Sequence, residues 1–182
     1  MLAGPVRTRP ASSCFLGAEL AISRRRVAKA RSSEASERTI LIVPASAEDF
    51  DSLRALLEEA SLPTEGLGDQ FPQAYVVARA GSDLLAAAGL ETYGEAGLLR
   101  SLVVAAAARN RGFGRALVEN RLAYARALGV ERVFLLTTTA PRYFERFGFA
   151  NANRSEAPAE LASSPEFASV CPASAICLTR VP

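Results

Sequence analysis

Hydrophobic positions fall into a regular order only after residue 38. Thr39–Val43 is a short β-branched run closed by Pro44, which predicts a first strand ending there. Ser46, with Asp49 three residues on, has the form of a capping box; Phe50, Leu53, Leu56 and Leu57 then recur at helical spacing to Ala60. Leu62–Phe71 predicts a loop or a short second helix. Ala74–Ala80 and Leu84–Glu91, joined by Gly81-Ser82-Asp83, predict a hairpin. A turn at Tyr93-Gly94 leads into Leu98–Val104, an apolar run that predicts a central strand buried on both faces.

Arg109-Asn110-Arg111-Gly112-Phe113-Gly114 then opens a helix that runs to Leu128 and stops at Gly129. Arg132–Thr137 predicts a second buried strand, and Ala140–Phe147 a short helix with Pro141 in its first turn. Phe149–Asn153 reads as a brief strand, Ala157–Ser163 as a helical turn and Ala175–Arg180 as a closing strand. Helices inserted into a mostly antiparallel sheet make an α+β layer fold, with residues 39–182 as one domain and no internal repeat.

Charge separates the first 38 residues from that body. Residues 1–38 hold eight Lys or Arg against three Glu, whereas residues 39–182 hold thirteen Arg against sixteen Asp or Glu. A mildly acidic body argues against nucleic acid as a partner. The Ala/Ser/Arg-rich leader, with Arg24-Arg25-Arg26, has the composition of an organelle transit peptide and equally that of a disordered tail or an upstream start. A cytoplasmic location is expected, or a plastid or mitochondrion if the leader is a transit peptide. A secretory signal fits worse, because Glu19 breaks the only apolar stretch of the leader. No run approaches the roughly 18 apolar residues of a membrane span.

Histidine is absent, which excludes Ser-His-Asp and Cys-His nucleophile pairs. Cys14, Cys171 and Cys177 are too few for a disulfide framework or a closed zinc site, so no metal is expected. Any chemistry must use carboxylates, hydroxyls, thiols or backbone amides. A strand that feeds a Gly-rich turn and then a helix forms an anion site, since free N–H groups of the first helical turn point outward. The turn is not a lysine-containing phosphate loop, because no Gly-Lys-Ser/Thr follows. It is not the dinucleotide fingerprint either, because Leu117 stands at the third glycine. By spacing alone, an ordinary glycine turn remains equally open.

In context the passage resembles the pyrophosphate loop of the GNAT superfamily of N-acetyltransferases, where Arg/Gln-x-x-Gly-x-Gly/Ala follows the fourth strand. The likeness covers Thr39–Arg180 in element order and includes Ala140–Phe149 (APRYFERFGF), similar to the family's fourth helix and its Gly-Phe. The resemblance implies the GNAT (acyl-CoA N-acyltransferase) fold, a mixed, mostly antiparallel sheet flanked by helices. It implies acetyl-CoA as co-substrate and a small amine as acceptor, with a homodimer left open. Leu102, Val103 and Val104 would offer a strand edge to the pantetheine arm. Arg109, Asn110, Arg111, Gly112, Phe113, Gly114 and Arg115 would surround the pyrophosphate. Three further stretches, Gly94–Val104, Leu135–Ala140 and Phe167–Cys177, resemble N-acetyltransferases of arsenic-resistance operons. Their relatives acetylate arsinothricin and phosphinothricin, which implies a glutamate-like acceptor.

Two positions depart from the family. Phe144 stands where many members carry the tyrosine that protonates the leaving thiolate, and Tyr143 sits one residue early, about 100° round the helix. Thr137 replaces the asparagine frequent at the end of the fifth strand and is a candidate substrate contact. Tyr143 and water are the rival acids.

Arg100 shares its strand face with Leu98 and Leu102 if alternation is regular, and a charge there must be paired or face a polar cavity. Glu91 is the expected partner across the hairpin. Two readings stay open: a structural ion pair, or an acceptor site with Arg100 on an acidic group and Glu91 as general base. The acceptor amine is expected to attack the thioester directly, with the Leu102 N–H or a neighbour polarising the carbonyl. Phe144, Phe147, Phe149 and Cys177 are expected in the core, the role of Cys171 stays open, and the acids of Glu48–Glu59 are read as a solvated helix face. A non-catalytic acyl-CoA sensor and an acetyltransferase for another small amine are the alternatives.

Overall fold

The computed structural model describes residues 41–182; the leader, with its transit-peptide and tail readings, lies outside the described residues together with Thr39 and Ile40. The first strand, β1 (Ile42–Pro44), includes the proline that was expected to end it. It is the outermost strand on its side of the sheet, where one N–H can be missing without breaking a ladder. Ser46 and Asp49 form the expected capping box, the Ser46 N–H donating to Asp49 Oδ2 at 2.7 Å. A 3₁₀ turn, Ala47–Asp49, then leads into α1 (Phe50–Glu59). Asp49 departs from the solvated-face expectation: it is buried and ion-paired with Arg79, whereas Glu48, Asp51, Glu58 and Glu59 are exposed.

Residues 61–74 form turns rather than a second helix. They lead to β2 (Tyr75–Ala80), β3 (Asp83–Tyr93) and β4 (Ala96–Val104), an antiparallel meander. The chain continues through α2 (Phe113–Ala127), β5 (Arg132–Thr137), α3 (Pro141–Glu145), β6 (Ala150–Asn151), α4 (Ala159–Ala162) and β7 (Ile176–Arg180). The seven strands form one sheet in the order β1-β2-β3-β4-β5-β7-β6. Every neighbouring pair is antiparallel except β4 and β5. This is the mixed, mostly antiparallel α+β architecture expected.

Side-chain alternation divides the core between the two faces of the sheet. Leu90 and Leu99 pack with Val118 and Leu122 of α2, while Val77 and Val103 pack with Leu53 and Leu57 of α1. Phe144 and Phe149 are buried with the α2 cluster and Phe147 packs against it; Cys177 lies in a further cluster with Leu98 and Phe134. Helix α2 ends as expected, with Gly129 in the left-handed region just past it.

Two irregularities in β4 shape everything that follows. Its parallel pairing with β5 covers only Ala96–Leu98 against Arg132–Phe134, and beyond that the strands are unpaired. In addition, Ala87 faces Val103 while Gly89 faces Arg100, so β4 carries one extra residue. This is a β-bulge, with Ser101 at φ +52°. The bulge overturns the expectation that Leu98, Arg100 and Leu102 share a face: Leu102 packs on the α2 side and Val103 on the α1 side. The strand is also buried on both faces only as far as Arg100.

Candidate active site

Where β4 and β5 separate, a cavity of about 1060 Å³ opens between them. Its walls include Leu99–Val104 of β4, Leu135–Ala140 from β5 onward, the first turn of α2, and Glu166, Cys171 and Pro172 from the segment before β7. The strand edge expected to meet a pantetheine arm, Leu102–Val104, therefore faces open space.

At one end stands the start of α2. Gly112 caps the helix at φ +86°, a conformation that glycine adopts without strain. Among the described residues, no oxygen accepts from the N–H groups of Arg111 to Arg115; the first intrahelical bond is donated by Ala116 to Gly112. Five donors and the positive end of a fifteen-residue helix make an anion cradle. Arg109, Asn110, Gly112, Phe113, Gly114 and Arg115 line the cavity, and Arg111 does not. The Arg111 guanidinium lies 5.6 Å from the Phe113 ring centroid instead. Arg109 Nε donates back to the Val104 carbonyl at 3.2 Å, and exposed Arg115 pairs with Glu119 at 2.8 Å.

Helix α3 turns Phe144 into the core and Tyr143 toward the start of α2, as the one-residue offset requires. Tyr143 lines the cavity, and burial raises its pKa above the ordinary phenol value. Its hydroxyl lies over Gly114, beside the anion cradle. Thr137 also lines the cavity, but its Oγ1 accepts the Ala140 N–H at 3.1 Å and so caps the turn into α3.

At the other end is Arg100. Its Nη1 donates to Glu91 Oε1 at 3.0 Å and to the Gly66 carbonyl at 3.3 Å; its Nη2 donates to the Glu65 carbonyl at 2.7 Å. Glu91 also accepts from the hydroxyls of Tyr75 (3.2 Å) and Tyr93 (2.8 Å). The expected pair exists, with both side chains 1% exposed. Glu91, however, is absent from the cavity wall, and three donors hold its carboxylate, an arrangement that favours the structural ion pair of the two readings.

The carboxylate that lines this end of the cavity is Glu166, whose Oε2 lies 2.8 Å from Arg100 Nε; Glu119 lines the α2 end and pairs with Arg115. Sequence patterning missed Glu166, because it stands in a π-helical turn, Glu166–Val170, far along the chain from Arg100. An acidic residue just before the Phe167–Cys177 stretch was the only available signal. Burial pushes the Glu166 pKa up, against the pull of Arg100. The Cys171 thiol donates to Glu166 Oε1 at 3.6 Å, and burial followed by the Glu166 charge pushes the thiol up to about 11. Among the described residues, no group of His, Cys, Asp and Glu is arranged to hold a metal ion. No helix of the described residues is long and apolar enough to cross a membrane.

Comparison with known proteins places this geometry in a family. The model of the Acetyltransferase (GNAT) family matches residues 38–149. An amino-acid acetyltransferase of Neisseria meningitidis is 33% identical over 78 residues, 42% of this chain. The matched stretch spans only 18% of that relative's length. Among solved structures, N-acetylglutamate synthase from Neisseria gonorrhoeae, complexed with coenzyme A and N-acetyl-glutamate, superposes with a TM-score of 0.68 at 23% identity. That match covers 80% of this chain and 35% of the synthase. Rv2747 from Mycobacterium tuberculosis, solved with CoA, superposes at 0.66 with 20% identity, over 78% of this chain and 99% of its own. At these identities the structural likeness establishes the fold.

Proposed function

Because the chain belongs to the acetyltransferase (GNAT) family, we propose that it transfers the acetyl group of acetyl-CoA to the amine of a small amino acid. The observation that carries this reading is the two-ended cavity, with five free amides at the α2 end and the Arg100–Glu166 pair at the other. Phosphate oxygens suit the first end, because five donors are fixed there at the start of a helix. The unpaired β4 edge suits the amide groups of a pantetheine arm. The bulge at Ser101 leaves two residues without partners on β3, and their N–H groups are the candidates to polarise the thioester carbonyl.

The acceptor class is supported from two sides. The curated relative is an amino-acid acetyltransferase, and a synthase of similar fold was solved with N-acetyl-glutamate. The finer resemblance to arsenic-resistance N-acetyltransferases points to the same class, a glutamate-like amino acid, and rests on sequence words alone.

Two measurements test the proposal. Calorimetric titration with CoA should show binding that Gly112→Val abolishes while the fold survives. Thiol release from acetyl-CoA should then be followed with each of the twenty proteinogenic amino acids as acceptor. CoA binding with no release would convert the reading to that of a sensor.

A further inference from the structure

We propose that Glu166 is the catalytic carboxylate that receives the acceptor's ammonium group and takes up its proton, with Arg100 as its positioning residue. This rests on the acetyl-transfer reading above and assigns its acceptor end.

Three charged side chains meet there, all nearly sealed from solvent: Arg100 is 4% exposed, Glu91 1% and Glu166 7%. One cation faces two carboxylates, so the cluster carries an uncompensated negative charge when both are ionised. Burying such a charge is costly unless something pairs with it. The two carboxylates are not equivalent. Glu91 has three strong donors and lies off the cavity. Glu166 lines the cavity and is held far less completely. Arg100 Nε is close to its Oε2, but the N–H is not aligned for a hydrogen bond and has no other partner. Its Oε1 accepts only from the Cys171 thiol, a weak donor.

An ammonium group supplies one positive charge and three strong donors, and so answers both shortfalls at once. The segment is built to hold the carboxylate in place. The π-helical turn that carries Glu166 is fixed from behind by Arg154, which donates to the carbonyls of Phe167 (3.5 Å), Cys171 (3.4 Å) and Pro172 (2.6 Å). Such turns occur frequently at functional sites. The groups that face Glu166 are Arg100 from β4, Glu91 from β3 and Cys171 from its own segment; burial and Glu91 raise its pKa, and Arg100 and Cys171 lower it. The outcome is a carboxylate more basic than one on the surface, which suits proton uptake.

The acceptor's ammonium gives one proton to Glu166, and the freed lone pair forms the N–C bond to the thioester carbonyl carbon. The adduct's second nitrogen proton passes through water to the sulfur as the C–S bond breaks. CoA leaves as the thiol, the amide remains neutral, and Glu166 returns its proton to solvent. No oxidant or further reactant is needed.

The test uses the full chain and whichever proteinogenic amino acid gives the fastest thiol release. Glu166→Gln should lower kcat/KM for that acceptor by ~10²–10⁴-fold and leave the CoA dissociation constant unchanged. The wild-type acid limb of the pH profile, set by the carboxylate, should give way to one at higher pH set by the acceptor's own amine, the rate then following the free-amine fraction in solution. Glu166→Asp should keep the limb with a reduced rate, and it serves if Glu166→Gln fails to fold. If Glu166 only balances Arg100, either variant melts early but retains the wild-type pH profile and kcat/KM per folded molecule; that result overturns the proposal. Wild-type CoA binding without turnover of any amino acid would instead overturn the transfer reading, and this assignment with it.

Discussion

The phenol of Tyr143 occupies the space that a side chain on Gly114 would take: a Cβ there would lie 2.5 Å from the Tyr143 hydroxyl oxygen and 3.5 Å from Cζ. Helix α3 is thereby fitted against the anion cradle of α2. Gly114→Ala should cost ~1–3 kcal/mol from overpacking, partly offset by a helix-propensity gain of at most ~1 kcal/mol. Adding Tyr143→Phe should recover most of the loss, because the nearest ring carbon would then be at ordinary contact distance. Urea denaturation of both single variants and the double variant checks this; purely additive losses would contradict it.

The same placement sets the role of Tyr143 in turnover. Its hydroxyl stands beside the first turn of α2, and burial has made it a weaker acid than a free phenol. Tyr143→Phe alone should therefore slow single-turnover acetyl transfer by less than about tenfold, against the ~10²–10⁴-fold expected on losing a general acid. A hundredfold loss would assign the leaving-group proton to Tyr143 rather than to water.

The three donors on Glu91 predict that it acts as a structural anchor. Glu91→Gln turns three hydrogen bonds to a buried carboxylate, from Tyr75, Tyr93 and Arg100, into weaker neutral ones, so stability should fall by ~1–3 kcal/mol although Glu166 still balances the Arg100 charge. Arg100 then remains attached to Glu65, Gly66 and Glu166. The acceptor KM of the folded fraction should stay at the wild-type value. Melting temperature measured beside acceptor kinetics separates this anchor from a catalytic base.

Gly89 and Tyr75 make a second close approach, a Cβ on Gly89 falling 2.6 Å from Tyr75 Cε1. The missing side chain lets the ring lie across β3 and bring its hydroxyl to Glu91. Gly89→Ala should destabilise by ~1–3 kcal/mol, and a shift of the urea midpoint at constant slope would show it. No change would mean that the ring relocates freely.

Cys171 should be an inert thiol despite its place on the cavity wall. With its pKa pushed up to about 11, the thiolate fraction at pH 8 falls well below that of a free cysteine. Iodoacetamide should react roughly 100-fold more slowly than with a small free thiol. The folded state holds the proton more tightly than the unfolded one, so the thiol's contribution to stability is present below the ordinary thiol range and is lost as pH rises toward 11. A steeper alkaline loss of stability in wild type than in Cys171→Ala checks the sign.

The chain's own pattern determined what local forces can determine. The capping pair Ser46 and Asp49, the spacing of Leu53, Leu56 and Leu57, the stop at Gly129 and the β5 span Arg132–Thr137 all follow from hydrogen bonding and periodicity within a few residues. Gly112 and Gly114 were legible as a turn that opens a helix, because left-handed backbone and free helical amides are local properties.

Tertiary structure decided the rest. One extra residue at Ser101 reverses the faces of Leu102 and Val103, and alternation cannot register an insertion that only the partner strand defines. The separation of β4 from β5 beyond Leu98 depends on strand pairing, and with it the existence of the cavity. Glu91 and Arg100 lie within one hairpin, so their meeting could be foreseen, but their enclosure by Tyr75, Tyr93 and the 65–66 carbonyls could not. Glu166 reaches Arg100 because the segment after α4 folds back onto the face of β4 that bears Leu98. Burial and charge pairing at that distance are properties of the packed chain, and they set Glu166, not Glu91, on the cavity wall beside Arg100.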